Sequence, residues 1–252
     1  MIIDAHVHIS ATDYGNADKY LEQMRLSSID QGVIVPGGML DVRKMTDYIT
    51  GKAKPQDPVP NNNIISESFN KHTNTLHGLA CVDPHRSDSA ETLADYFKQG
   101  FRGLKLSPLS HQFSFASRTV AALAACCGEH GFPVYTHVVY SPGASTARYI
   151  QLARQFPQTN FIIGHMGFGP ADQEALQAAI DLDNFFLETS QGSFLHIKEA
   201  VHRAGPEKII FGSEYPLSHP MVELQKILLL NLPGSAQDKI LGDNIKALLK
   251  LA

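Results

Sequence analysis

The chain has 252 residues, 43% of them apolar and 18% charged, with 25 acidic against 21 basic side chains for a formal charge of −4. Such a composition excludes a disordered chain, a coiled coil or a repeat array, and no Lys/Arg stripe offers nucleic acid a counterion-releasing surface. The length suits either two average domains or one α/β barrel of about 200–250 residues.

The first apolar run, Ile2–Ile9 in MIIDAHVHIS, reads as a strand. Its Asp4, His6 and His8 interrupt the apolar core of any signal peptide, and nowhere does the chain approach the ~18 apolar residues of a spanning helix. A soluble, cytoplasmic protein with no membrane partner is expected. Helical spacing over Ala17–Ile29 leads to a second strand, Gly32–Pro36. Residues 51–63, GKAKPQDPVPNNN, hold three Pro and three Asn without apolar periodicity, and are expected to form an excursion from the second βα unit. Strand and helix then alternate: His77–Val82 and Ser89–Gln99, Phe101–Ser107 and Arg118–His130, Phe132–Val138 and Thr146–Gln155, Asn160–Met166 and Ala171–Leu182. The alternation continues through Asn184–Ser190 and Phe194–Ala204 to Lys208–Tyr215 and Met221–Leu230, with an extra helix over Ala236–Leu251.

Spread over eight strands, 252 residues give about 31 per unit, the length of a βαβ repeat. A single-domain α/β fold over residues 1–252, a (β/α)8 barrel of the TIM type, is predicted. The rival doubly wound sheet needs a Gly-rich turn after its first strand, where HVHISATDYG stands instead. The cysteines, Cys81, Cys126 and Cys127, are odd in number and two are adjacent, which fits reduced thiols in a reducing compartment.

In a barrel, alternate strand residues face the axis and the active site forms at the C-terminal ends of the strands. Alternation predicts one inward set of Asp4, His6 and His8, then Gly103, Lys105 and Ser107, then Tyr135 and His137. It continues with Ile163 and His165, Phe186, Glu188 and Ser190, and Gly212 and Glu214. Singly, each histidine reads more readily as a hydrogen-bonded core residue. Jointly, burying several imidazoles, a lysine and two carboxylates costs too much unless they solvate one another or an ion, which points to a site.

His6 and His8 lie two residues apart on a strand, about 6–7 Å at the backbone, so both rings can meet one ion. With His137 as third nitrogen donor and Glu214 as oxygen donor, the set suits one divalent metal. Zn²⁺ is the first choice and Mn²⁺ the second, with a metal-free site as the alternative. One position would remain for water or substrate. Asp4 reads either as an acceptor behind the histidines or as a floor residue. His165, between Gly164 and Gly167, reads as general acid/base or oxyanion stabiliser. Lys105 has three readings: it binds an anionic substrate group, is carbamylated between two metals, or pairs with Glu188.

Taken in order, DAHVHI, RGLKLSP, PVYTH, IIGHMG, FGSEYP and ILGDNIKALL resemble the amidohydrolase superfamily over residues 1–251. The nearest likeness is to its amidohydrolase-related branch, with aminocarboxymuconate semialdehyde decarboxylase-like enzymes and pyrone-dicarboxylate lactonase-like hydrolases. The resemblance implies a mononuclear metal site in a (β/α)8 barrel, carried by His6, His8, His137, His165 and Glu214. Two departures stand out. The eighth strand ends in Gly-Ser-Glu at Glu214, where the family usually has Asp, and Ser107-Pro108 replaces a common His-Pro, leaving His111 to supply a substrate contact.

The expected activity is metal-dependent hydrolysis of a C–O or C–N bond, in a lactone or amide of a small carboxylated metabolite. Glu214 and His165 would be catalytic, with Lys105, Glu188 and His111 binding substrate. Decarboxylation of a small unsaturated or aromatic acid is the alternative, and a catalytically idle, small-molecule-binding barrel is the next. The only other partner expected is a second copy in a homodimer.

Overall fold

The computed structural model describes residues 1–54 and 59–252, so part of the expected excursion, 55–58, lies outside the described residues. Among the described residues nine parallel strands follow one another: β1 (Ile3–Ile9), β2 (Gln31–Pro36), β3 (Leu76–Gly78), β4 (Ala80–Cys81), β5 (Leu104–Leu106), β6 (Val134–Thr136), β7 (Phe161–Ile163), β8 (Phe185–Glu188) and β9 (Ile209–Ile210). They pair in sequence order as β1-β2-β3 and β4-β5-β6-β7-β8-β9. The two arcs are one ring. Only Leu79 separates β3 from β4, and its N–H donates to Ile34 O at 3.0 Å while Ala80 N–H donates to Gly103 O at 2.9 Å. At the other seam Ala5 N–H reaches Phe211 O at 3.0 Å and Glu214 N–H reaches His6 O at 2.8 Å. Counting β3 and β4 as one interrupted strand gives the predicted eight-stranded barrel.

Each barrel strand leads to a helix: Ala17–Ser27, Asn62–Lys71, Ser89–Lys98, Arg118–His130, Thr146–Gln155, Gln173–Asp181, Phe194–Ala204 and Pro220–Leu228. Side chains of Asn16, Asn61, Ser117, Asp172 and Ser193 accept from N–H groups of the first turns, satisfying donors a helix start leaves open. The helix Asn62–Lys71 begins inside the stretch expected to be an excursion. Its apolar face is carried by few residues, chiefly Ile65 and Phe69, and its polar Asn62 is buried for a tertiary reason. Asn62 Nδ2 donates to Cys81 O at 2.7 Å and its Oδ1 accepts from Cys81 N–H at 2.9 Å, so one side chain pairs β4 where a strand would. A shorter helix, Met45–Ile49, precedes it. Among the described residues no helix is long and apolar enough to cross a membrane.

Two apolar layers form. The outer one packs Val7, Ile34, Leu104, Val134, Phe161, Phe185 and Phe211 against helix residues such as Tyr20, Ile65, Leu93 and Leu123. The inner one fills the barrel with Ile3, Ala5, Val33, Val35, Leu79, Tyr135, Ile162 and Ile210, and the C-terminal helical segment closes its floor with Ile245, Leu248 and Leu249. The inward polar residues His6 in β1, Glu188 in β8 and Glu214 beyond β9 come later along the chain than the apolar filling from the same strands.

Strict alternation fails in two strands. In β1 the register shifts between Asp4 and Val7, so Ile3 and Ala5 face the barrel interior while Val7 joins the outer layer. Asp4 thus turns outward, contrary to the expected inward set, and accepts from the Tyr20 hydroxyl at 3.0 Å. In β7 the inward residue is Ile162, and Ile163 belongs to the outer layer, again against expectation. A single 3₁₀ turn over Gly164–Met166, with His165 at φ +60°, brings the imidazole back to the rim.

Candidate active site

The β1 bulge delivers His6 and His8 to the inner rim. His6 is wholly buried, and His8 leaves about a quarter of its side chain (24%) accessible. Their Nε2 atoms stand 3.1 Å apart. Opposite them is Glu214, which follows β9 in a left-handed conformation at φ +60°. Its Oε2 lies 2.7 Å from His6 Nε2 and its Oε1 3.4 Å from His8 Nε2. The backbone pins this carboxylate in place, since Glu214 N–H donates to His6 O.

Glu214 Oε2 is buried without a properly directed hydrogen bond, despite its closeness to His6. His6 and His8 pair with one another, but the close approach of Glu214 Oε2 to His6 is not directed as a hydrogen bond, which leaves that oxygen for an ion. Around a divalent ion with bonds of ~2.0–2.2 Å, neighbouring donors sit roughly 3 Å apart. His6, His8 and Glu214 thus fit a metal on their own geometry, and their donor atoms all lie within 4.8 Å of one another. A second group within the same limit, His6, His165 and Glu188, shares one imidazole with the first. His137, expected as a ligand, belongs to neither. Strand β6 ends one residue earlier, at Thr136, and the His137 ring sits 6.2 Å from that of His165 with its buried Nε2 unpartnered.

The Asp4 carboxylate works behind the site. It accepts from His6 N–H at 3.2 Å, Ser213 N–H at 2.8 Å and Ser213 Oγ–H at 2.6 Å, clasping the strand of His6 and His8 to the segment of Glu214. Burial lifts its pKa to about 6 against these hydrogen bonds.

Glu188 does not meet the expectation of a substrate contact. Its side chain is fully buried, and Oε2 accepts from Tyr135 Oη–H at 2.7 Å, Ser190 Oγ–H at 2.9 Å and His165 N–H at 3.3 Å, with His6 Nδ1 at 3.2 Å. Burial alone would raise this carboxyl, but His6, His165 and Tyr135 together bring it down to about 2. Neither Tyr135 nor Ser190 was assigned a role by residue chemistry alone, although alternation had set both on inward faces.

Lys105 projects from β5 into the same space, 2% exposed, with Nζ 4.4 Å from the centre of the Tyr135 ring. No hydrogen bond reaches Nζ, and no salt bridge to Glu188 forms among the described residues, which removes one of its three readings. Burial lowers its pKa, partly offset by Glu214 and Glu188. His165 Nδ1 lies 3.2 Å from Ser190 O and 3.0 Å from Ser190 Oγ, and its Nε2 is 4.0 Å from Glu214 Oε2. A carbonyl only accepts, so Nδ1 carries the proton and Nε2 turns its lone pair to the cavity. Burial lowers the pKa of His165 and drives that of His137 further down, so both rings are neutral near pH 7. In His6 burial also acts downward, but the Glu214 charge and the contacts to both carboxylates outweigh it and raise the pKa. His111 ends the short helix Pro108–His111 and is nine-tenths buried, its carbonyl accepting from His85 Nε2 at 2.7 Å.

A family model described as amidohydrolase matches residues 3–251. Among solved structures the chain is similar to an uncharacterised TIM-barrel protein from Bordetella bronchiseptica, at 15% identity and TM-score 0.78, covering 99% of this chain and 98% of that one. It is similar to a dihydroxybenzoic acid decarboxylase from Polaromonas with bound manganese and 2-nitroresorcinol, at 14% identity and TM-score 0.74, covering 99% and 96%. A probable 2-pyrone-4,6-dicarboxylic acid hydrolase from Acinetobacter baumannii, with citric acid bound, matches at 15% identity and TM-score 0.71, covering 99% of both chains. No curated protein sequence matches.

Proposed function

The chain belongs to the amidohydrolase family, and from that premise we propose that it is a metal-dependent hydrolase of a lactone or amide bond in a small carboxylated molecule. The observation that carries this reading is the convergence of His6 Nε2, His8 Nε2 and Glu214 beside an unpartnered, buried Lys105 ammonium. Those three residues would hold the ion, with His137, just past the end of β6, completing the set. A Zn²⁺ or Mn²⁺ bound there supplies a Lewis acid that polarises a carbonyl and acidifies a water.

The remaining steps belong to the side chains. Lys105 pairs with a substrate carboxylate, because an ammonium this buried needs a counter-charge and the protein supplies none within hydrogen-bonding distance. His165 takes up the proton at Nε2 as the attacking water loses it, and returns it to the leaving oxygen or nitrogen. Ser190 holds that imidazole through Nδ1, which favours acid/base work over oxyanion stabilisation. His111, at the end of the short helix after β5, is the further candidate for substrate contact.

Decarboxylation of a small aromatic or unsaturated acid is the second reading. It is favoured by the fold's likeness to a dihydroxybenzoic acid decarboxylase. The discriminating experiment incubates Zn²⁺- or Mn²⁺-loaded protein with 2-pyrone-4,6-dicarboxylate and, separately, with 2,6-dihydroxybenzoate. Ring opening without CO₂ supports hydrolysis. CO₂ release from the benzoate instead, with the pyrone untouched, overturns it.

A further inference from the structure

Glu188 lies outside the proposed chemistry, yet it has more polar contacts than any other carboxylate in the site. It sits one layer below the ligands, with no exposed surface. Gly212 makes room for it, while Gly164 sits at ordinary contact distance. A Cβ on Gly212 would collide with Glu188 Oε1 and come within 2.9 Å of His6 Cβ, and one on Gly164 would lie 3.5 Å from Glu188 Oε2. The sequence thus omits a side chain at Gly212 so that this carboxylate can reach the underside of His6.

We propose that Glu188 is a positioning residue that fixes the ligating tautomer of His6 and the backbone of His165 together. Glu188 Oε2 faces His6 Nδ1 at 3.2 Å. A carboxylate accepts only, so the proton stays on Nδ1 and the Nε2 lone pair points at His8 and Glu214. The same oxygen accepts from His165 N–H, tethering a residue held at φ +60°, a conformation that an untethered non-glycine residue leaves readily. Ser190 closes the arrangement, since its hydroxyl touches Glu188 and the Nδ1 atoms of both imidazoles. One buried carboxylate therefore sets a metal ligand and the proton-transfer group at once.

This proposal rests on His6 being a ligand, and its test separates the two claims. Glu188→Gln keeps the shape and removes the charge. Mn²⁺ affinity of wild type and variant is measured by competition with a chromogenic chelator, and imidazole tautomers by ¹⁵N NMR. The expected result is Mn²⁺ binding weakened about 10–100-fold in Glu188→Gln, as for other outer-shell partners of ligating histidines, with the Nδ1–H signature of His6 lost. Tyr135→Phe, which removes one donor to Glu188 and keeps the charge, should stay within a few-fold of wild type. Equal affinity in wild type and Glu188→Gln overturns the positioning role while leaving the metal site intact. A wild type that binds no Mn²⁺ overturns the metal reading and this proposal with it. Should Glu188→Gln fail to fold, the wild-type spectrum decides alone: a His6 ring without a proton on Nδ1 contradicts the proposal.

Discussion

Replacing Lys105 by Met should move stability and ligand affinity in opposite directions. In the free protein the ammonium is 2% exposed and without a hydrogen bond, its burial offset only in part by the Tyr135 ring at 4.4 Å and by the Glu214 and Glu188 charges. Removing an under-compensated buried cation recovers part of a desolvation penalty of several kcal/mol, less a cation–π contact of about 0.5–2 kcal/mol. The net expectation is a gain of about 1–3 kcal/mol, or roughly 2–4 °C in Tm per kcal/mol for a domain of this size. The lowered pKa has the same sign. An amine whose folded pKa lies below its unfolded value of 10.5 opposes folding while charged, and stability recovers as pH rises from the folded value towards 10.5. Lys105→Met should abolish that recovery. With ligand bound the sign reverses, because a charge-assisted hydrogen bond worth about 1.5–3 kcal/mol is lost, a factor of roughly 10–150 in affinity. Urea denaturation and calorimetric titration with a pyrone dicarboxylate measure the two arms. A Lys105→Met protein that is less stable and binds the dicarboxylate unchanged would refute the assignment and make Lys105 a packing residue.

Glu214→Asp shortens a carboxylate whose backbone is pinned to His6 O, withdrawing its oxygens by about 1.5 Å from His6 and His8; since a 1 Å misplacement can cost about 100-fold, turnover and Mn²⁺ affinity should both fall, and a gain in either would mark Glu as the misfit. Gly212→Ala forces a methyl into Glu188 and His6 and should remove metal binding at a cost above ~3 kcal/mol, whereas Gly169→Ala, at φ +77° in open space, should cost only ~1 kcal/mol and leave binding intact. Equal urea midpoints for the two variants would contradict this. Burial pushes the Cys81 thiol up to about 12 and that of Cys127 well above 9.0, with Cys126 raised less deeply. Ellman's reagent at about pH 8 should therefore leave native Cys81 and Cys127 untouched, Cys126 reacting first, and all three cysteines should titrate on unfolding.

The barrel was legible because its strands are short apolar runs at regular spacing, and two local rules did most of the rest. Arg118–His130, Thr146–Gln155 and Phe194–Ala204 match observed helices residue for residue, the first and last with capping serines at their starts and the first ending at Gly131. Alternation placed Lys105, Tyr135, Glu188 and Glu214 correctly. It misplaced Asp4 and Ile163 because a bulge in β1 and a left-handed residue after β7 each shift the inward face by one position. Both breaks sit beside a site histidine, and neither leaves a mark in residue type. The helix Asn62–Lys71 escaped notice because its start lies within a run of Asn and Pro, and its anchor to Cys81 is a contact across the fold. Inward alternation marks Glu188 as a substrate contact but carries no information on how deeply its side chain is buried. Burial depth, which the missing side chain at Gly212 permits, separates a substrate contact from a buried carboxylate.

The most direct test of the metal centre is anomalous diffraction from crystals grown with Mn²⁺, collected on either side of the manganese edge. The account predicts one strong anomalous peak per chain, bounded by His6 Nε2, His8 Nε2 and the Glu214 carboxylate, with His137 turned towards it. A map with no peak between those atoms, or with its only peak between His165 and Glu188, would contradict it.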